Sequence, residues 1–393
     1  MFELNRSQKE IQKAARDFAR GEFDKNLSLD LEEKREYPEK IWKKSADLGF
    51  IGIQFPEQYS GSGLGVLEAG LIAEAFCCVD STMGMALTLS GLGSEAVFRF
   101  ADPVLKEKIL PGICEGDTLS GIAFSETDHG IDLSSINTRA VFTGENIVIN
   151  GEKTHVANRG TKGVYLVLCK TGLKEDTPEK SLSMVLVEGN KKGITITDSG
   201  KKLGANMMRS ARLTFENVTV PATNLVGKDG KGLAQLEKFH DEIKILTAAQ
   251  ALGTAQGALD RAVEYIKQRE QFNRKLAQFQ ITKHKIAQMA TKVELARLIT
   301  YQAASLFDRG KAKAALISMA KMTSARAAVE VADEAIQLFG GYGYMKEYEV
   351  ERFFRDAKVA ELCFGNPAAQ KDIIGEAVIG KIRQERNTQK WIS

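Results

Sequence analysis

The chain changes texture twice along its length. From Ser7 to about Leu119 apolar residues recur three and four positions apart, the period of a helix with one buried face. Only the turn-forming run Pro56-Glu57-Gln58-Tyr59-Ser60-Gly61-Ser62-Gly63 interrupts it. From about Gly121 to Gly230 the pattern shifts to short runs rich in β-branched residues, at 146–150, 164–169, 183–187, 194–197 and 212–215, each bounded by Gly, Asn, Asp or Lys. After Gly232 the helical period returns over 246–269, 282–308 and 312–338 with almost no proline. Small residues at 312–315 and 325–328 allow close helix–helix approach, as in a bundle.

The pattern predicts an α+β chain with a helical domain at 1–120, a β domain at 121–230 and a helical bundle at 231–393. At 393 residues, 43% hydrophobic and 27% charged, there is ample material for such cores.

Charge and cysteine narrow the classes. Lys and Arg total 54 against 51 Asp and Glu, a balance that does not point to nucleic acid. Cys77, Cys78, Cys114, Cys169 and Cys363 form no paired Cys-x-x-Cys clusters, which argues against structural zinc or a disulfide framework and for a reducing, cytoplasmic setting. Residues 1–23 mix apolar positions with Arg, Lys and Glu in a helical pattern rather than that of a signal peptide, and no apolar run has the length of a bilayer span.

Five segments, in order along the chain, carry a resemblance. They begin with Tyr37-Pro38, Trp42, Leu48-Gly49-Phe50-Ile51-Gly52-Ile53 and the 56–63 turn. Ala123-Phe124-Ser125-Glu126-Thr127-Asp128-His129-Gly130-Ile131-Asp132 and Asn150-Gly151-Glu152-Lys153-Thr154-His155-Val156-Ala157-Asn158 follow. Arg269-Glu270-Gln271-Phe272-Asn273-Arg274-Lys275 through Phe279-Gln280, and Gln337-Leu338-Phe339-Gly340-Gly341-Tyr342-Gly343-Tyr344, complete the set. Together they resemble the acyl-CoA dehydrogenase family, whose corresponding patterns are T-E-P-x-x-G-S-D, N-G-x-K-x-W-I-T-N, R-x-x-F-G-x-x-x-x-x-F-Q and Q-x-x-G-G-x-G-Y.

The resemblance implies FAD as cofactor and an acyl-CoA thioester as substrate. Ser125 would donate to the isoalloxazine ring, where reduction builds up electron density. His155 and Ala157 replace the family's tryptophan and threonine beside that ring, and on a regular strand they would share a face. Arg269, Phe272, Gln280, Gln337, Gly340, Gly341 and Asn366 would hold the rest of the cofactor. Arg269 would act as a charge-assisted donor to phosphate, and Gly340 and Gly341 would admit close backbone approach. Asn273 stands in place of the usual glycine. Asp241, Lys244 and Ile131 fall at substrate-side positions. In the family the FAD segments commonly meet across a subunit interface, implying a homodimer or homotetramer, and the electron acceptor is an electron-transferring flavoprotein.

One position departs from the chemistry. The resemblance puts the family's catalytic glutamate at Phe364, which retains a backbone N–H for the thioester carbonyl but has no group to take a proton. General-base catalysis is worth roughly 10²- to 10⁴-fold. The alternative family position, at the start of the first long C-terminal helix, falls on Ile243. Glu242 is the first candidate for a displaced base, although helical rotation turns it away from Ile243, with Glu95 and His155 as further candidates. Three readings stay open: dehydrogenation, or enoyl-CoA reduction, with a non-standard base; an elimination that needs no base; and a non-catalytic subunit that binds FAD or acyl-CoA.

Overall fold

The computed structural model describes residues 3–128, 130, 132–158, 160, 162–172 and 177–380. Helices α1 Arg6–Glu22, α2 Lys25–Lys34, α3 Glu39–Asp47, α4 Val66–Val79, α5 Ser81–Thr88, α6 Ser94–Phe100 and α7 Pro103–Cys114 come first. Strands β1 Ser120–Ala123, β2 Arg139–Thr143, β3 Asn146–Ala157 and β4 Val164–Lys170 follow, then the short helix α8 Pro178–Ser181. Strands β5 Leu182–Glu188, β6 Ile194–Asp198, β7 Ser210–Pro221 and β8 Leu225–Val226 complete the middle. Last come α9 Gly232–Gln268, the two-residue strands β9 Glu270–Gln271 and β10 Arg274–Lys275, α10 Gln280–Asp308, α11 Ala314–Phe339, α12 Val350–Leu362 and α13 Pro367–Ile379. The expected three textures appear as these three groups of elements.

The middle is one eight-stranded sheet in the order β6-β7-β3-β2-β4-β5-β8, with β1 added parallel to β4. Its inward face carries Ile147, Ile149, Tyr165, Val167, Val185, Leu213, Phe215 and Val218, all buried. β4 and β5 are buried on both faces, and the β3–β7 ladder slips twice: near Gly151, and again where Lys153 pairs with Leu213 but the next pair is Val156 with Ala211, so that two residues of β3 oppose one of β7. His155 takes the left-handed conformation there, φ 55°. The bulge breaks the two-residue period, so the shared-face argument for His155 and Ala157 does not carry across it. His155 is exposed, whereas Ala157 packs against the core that holds Phe124, Phe239 and Ile243.

The helical ends close on each other through α4 and α9, both buried for most of their length. Asp308, at the C-terminal end of α10, accepts the N–H groups of Val66 (2.7 Å) and Leu67 (3.0 Å) and so caps α4 from the far end of the chain. A helix start leaves such donors orphaned, and a carboxylate there also complements the helix dipole. Helix α12 is tied down equally firmly. Its Arg352, fully buried, pairs with Asp80 at 2.6 Å and Glu349 at 3.1 Å. Its Asp356 accepts from the Ser81 and Thr82 hydroxyls and from the N–H of Ala205 at 2.7 Å, joining all three groups of elements.

Candidate active site

Phe364 lies in the turn between α12 and α13. The chain leaves α12 at Cys363, and Phe364 and Gly365 follow with φ 53° and 94° before Asn366 caps α13. Lys321 of α11, buried, donates from Nζ to the carbonyl oxygens of Gly365 (2.6 Å) and Glu361 (3.3 Å). The turn is therefore gripped from below by an ammonium whose pKa burial pushes down to about 8. Phe364 is half-buried and lines a narrow cleft with Met85, Leu89, Thr247, Gln250 and Thr254.

Glu242 and Ile243 are both inside α9, and both are buried. Glu242 lies on the α9 face that also carries Leu246, where its carboxylate takes Nη2 of Arg99 at 2.6 Å. Glu95, one turn before Arg99 on α6, is buried beside it. Burial first, and then the Glu242 charge, push the Glu95 carboxyl up to about 8. Arg99 also sits over the ring of Phe307, 5.1 Å from its centroid. The face that meets Phe364 is the one carrying Thr247 and Gln250, a rotation away from Glu242.

On the sheet side, Ser125 is fixed through its neighbour. Lys153 Nζ, fully buried, reaches Glu126 Oε1 at 2.9 Å and the Phe124 carbonyl at 3.0 Å. Glu126 also accepts from the Thr138 hydroxyl (2.6 Å) and the Asn137 N–H (2.6 Å). Burial pushes this carboxyl up, but the bonds from Thr138, Asn137 and Lys153 outweigh it and hold it below the usual range. The Ser125 carbonyl accepts from Thr154 N–H at 2.9 Å, pinning the loop onto β3. The Lys153–Glu126 clamp escaped the sequence reading, although a lysine two residues on from Gly151, in phase with inward-facing Ile147 and Ile149, was a legible sign of a buried, paired ammonium.

His240 was also passed over. It packs near Phe124 and Phe239, and burial, with Lys244 nearby, pushes its pKa down to about 4, so the ring is neutral. Asp241 and Lys244 pair at 3.5 Å on α9, with Lys244 buried. Ile131 lies outside the described residues.

The remaining segments form a separate patch. Arg269, at the C-terminal end of α9, lies 5.5 Å from the ring centroid of Tyr342, and Tyr265 stacks on Phe339 at 4.0 Å. These contacts bring Arg269 beside Gly340 and Gly341 within one chain. Phe272 and Asn273 form the turn between β9 and β10 at φ 54° and 60°; asparagine tolerates the left-handed region well, which is how Asn273 substitutes for glycine. Phe272, Gln280 and Gln337 are exposed. Among the described residues no hydrogen bond, ion pair or ring contact connects this patch to Ser125, Ala157 or Phe364. Asn366 uses its side-chain oxygen to cap α13, accepting from Ala369 N–H at 3.0 Å.

A three-part chain of this kind, with one sheet set between two groups of helices, is an α+β fold. Residues 5–117, 121–218 and 230–379 match the N-terminal, middle and C-terminal domains described as acyl-CoA dehydrogenase. An acyl-CoA dehydrogenase of Bacillus subtilis is 36% identical over 94% of this chain and 97% of its own. The acryloyl-CoA reductase (NADH) of Anaerotignum propionicum is 33% identical over 96% of each. A solved chain from a structure described as the electron transferring flavoprotein of Acidaminococcus fermentans is 34% identical, with a TM-score of 0.93, covering 97% of this chain and 100% of that one. The chain belongs to the acyl-CoA dehydrogenase family.

The family is one of flavoproteins, and FAD is the cofactor. The residues present fit it. A Cβ added at Gly340 or Gly341 would meet nothing within 4 Å, leaving an open surface for an adenosine. Arg269 makes no ion pair among the described residues, so its charge is available to a phosphate. No helix among the described residues is long and apolar enough to cross a membrane.

Proposed function

We propose that this chain is an FAD-dependent oxidoreductase of the α,β carbon–carbon bond of a small acyl-CoA thioester, working without a carboxylate at the family's usual base position. Bound FAD supplies the hydride acceptor or donor at the β carbon. The observation that carries the reading is the Phe364 turn. Lys321 holds the turn through the Gly365 and Glu361 carbonyls, so the N–H of Phe364 remains a donor for a thioester carbonyl while its side chain offers no base. Ser125, on a loop clamped by Lys153 and Glu126, is the proposed ring donor, with Ala157 and His155 beside it.

Arg269, Phe272, Gln280, Gln337, Gly340 and Gly341 are the proposed adenosine and pyrophosphate patch. Because that patch is separate from the ring-side residues and rich in exposed aromatic surface, with Phe272 86% and Tyr344 85% exposed, the cofactor is proposed to bridge two copies of the chain in a homodimer or a dimer of dimers. The acceptor is proposed to be an electron-transferring flavoprotein, a reading supported by the full-length match to a chain from a structure described by that name. Asp241 and Lys244 are proposed to face the CoA side.

A second reading, reduction of an enoyl-CoA, is favoured by the relative named acryloyl-CoA reductase; the β carbon would take the hydride and the α carbon a proton from solvent water, because Phe364 has none to give. Glu242 is engaged by Arg99, and we read it as a structural partner of that cation rather than as the displaced base. Anaerobic mixing with a panel of acyl-CoA and enoyl-CoA thioesters tests both directions. Bleaching of the oxidised flavin by a saturated ester supports dehydrogenation; recovery of colour in pre-reduced protein on adding an enoyl ester supports reduction. Protein that stays colourless after reconstitution with FAD overturns both.

A further inference from the structure

Thr247 carries an unspent hydroxyl. It is 3% exposed, it lines the cleft with Phe364, and its Oγ1 has no hydrogen-bond partner. Threonines inside helices ordinarily settle this by turning the hydroxyl onto the carbonyl four residues back. Thr254 does so to Gln250 (2.9 Å), Thr88 to Gly84 (2.7 Å) and Thr291 to Ala287 (2.8 Å). Thr247 does not use the Ile243 carbonyl. Leaving a buried hydroxyl unpaired costs about 1–3 kcal/mol, which a ligand oxygen would recover.

Gln250, nearly one turn further along α9, completes the polar lining. Thr88 already spends its proton on Gly84, so its oxygen accepts from Gln250 Nε2 at 2.8 Å. That bond orients the carboxamide, and its Oε1 makes no hydrogen bond among the described residues. Apart from Asp356, the Cys363 thiol and Thr254, whose hydroxyl is spent on the Gln250 carbonyl, the rest of the lining is apolar, with Met85, Leu89, Val359 and Phe364 the largest side chains. No cationic side chain lines the cleft, and its one carboxylate, Asp356, is spent on Ser81, Thr82 and Ala205. The free space is about that of a single water, room for one oxygen at the end of a chain and not for the chain itself.

We propose that the acyl end of the substrate is short and carries a hydroxyl, which accepts from Thr247 Oγ1 and donates to Gln250 Oε1. This deepens the reading given above and rests on it, since it takes the cleft beside Phe364 as the far end of the acyl site. A plain alkyl chain would bury Thr247 Oγ1 without a partner. A carboxylate-bearing chain would find no cation. Sites built to bond a substrate hydroxyl reject analogues lacking it far more strongly than apolar pockets reject an added one.

The test is equilibrium binding to the FAD-loaded protein, with calorimetry of butyryl-CoA, 3-hydroxybutyryl-CoA, 4-hydroxybutyryl-CoA and CoA itself. Wild type should favour one hydroxy ester over butyryl-CoA by at least about tenfold, the discrimination of a single well-placed hydrogen bond. Thr247→Val, nearly isosteric, should abolish that ratio without changing CoA affinity, and Thr247→Ser should keep it. Butyryl-CoA binding as tightly as both hydroxy esters, or a ratio unchanged in Thr247→Val, overturns the proposal and marks Thr247 as the partner of a buried water. Absence of binding by every thioester and by CoA overturns the acyl-CoA reading as well, so the two failures are distinct.

Discussion

The guanidinium of Arg99 holds the carboxylate of Glu242 at 2.6 Å, across the contact between α6 and α9, with Glu95 buried at its side. One partly exposed cation therefore serves the buried Glu242 carboxylate, while burial keeps the neighbouring Glu95 carboxyl protonated up to about pH 8. Arg99→Met should leave Glu242 without a counterion. Removing one partner of a buried pair costs about 3–5 kcal/mol. Because the Arg99 side chain is 34% exposed, the loss should fall nearer about 2 kcal/mol, read as a lower midpoint in urea unfolding of the FAD-loaded protein.

Glu95 gives that cluster a pH dependence of definite sign. Burial and the Glu242 charge raise its carboxyl from an ordinary 4.5 to about 8, so the fold binds a proton that the unfolded chain has already released. Stability from this group is complete below about 4.5 and declines as pH rises through the window to about 8. Glu95→Gln keeps an acceptor for the Gly93 N–H and removes the ionisation. Its unfolding free energy should vary less between mildly acidic and mildly alkaline buffer than that of wild type. An identical pH slope in the two proteins would show that Glu95 does not titrate as described.

Much of this was legible in the chain. Apolar period alone separated the helical ends from the sheet, and the strands at 164–169 and 183–187 appear as β4 and β5 with only their ends extended. The rotation of Glu242 away from Ile243 also followed from helical geometry, and the structure gives the reason it matters: Glu242 faces Arg99 while Thr247 and Gln250 face Phe364. What escaped was whatever depends on distant partners. Arg99 and Glu242 are 143 positions apart, and the Arg352–Asp80 pair spans 272, so no local pattern announces them. The bulge at His155 escaped for a different reason. Two residues of β3 share one partner on β7, a property of the pairing and not of either strand's own sequence.

The clamp beneath Ser125 makes a prediction about the cofactor. Lys153 is fully buried and binds both Glu126 and the Phe124 carbonyl, so Lys153→Met removes two anchors of the loop while leaving the β3 backbone intact. Glu126 keeps its bonds from Thr138 and Asn137 but loses its counterion, at a cost of about 3 kcal/mol. The loop should loosen, and the protein should be purified with less flavin. The ratio of visible flavin absorbance to protein absorbance, before and after adding free FAD, measures this. A variant that retains full flavin would show that the loop does not need its anchor.

Phe364 allows the most direct test of the chemistry. Its backbone is left-handed at φ 53°, in a turn held by Lys321 below and following a helix that Asp356 and Arg352 anchor, none of which depends on the phenyl ring. Phe364→Glu should therefore keep the turn and the N–H donor while presenting a carboxylate to the cleft that Thr247 and Gln250 line. If the rest of the apparatus is intact, the variant gains a general base, worth roughly 10²- to 10⁴-fold in the rate of proton removal. Anaerobic bleaching of the flavin by a saturated acyl-CoA should then be faster than in wild type by at least about 10². Bleaching should also slow as the buffer is acidified, because the new carboxylate works only when ionised, a dependence that wild type lacks at this position. An unchanged rate, with flavin content and thermal midpoint preserved, would mean that the cleft beside Phe364 is shaped for a reaction in which no α-proton is withdrawn.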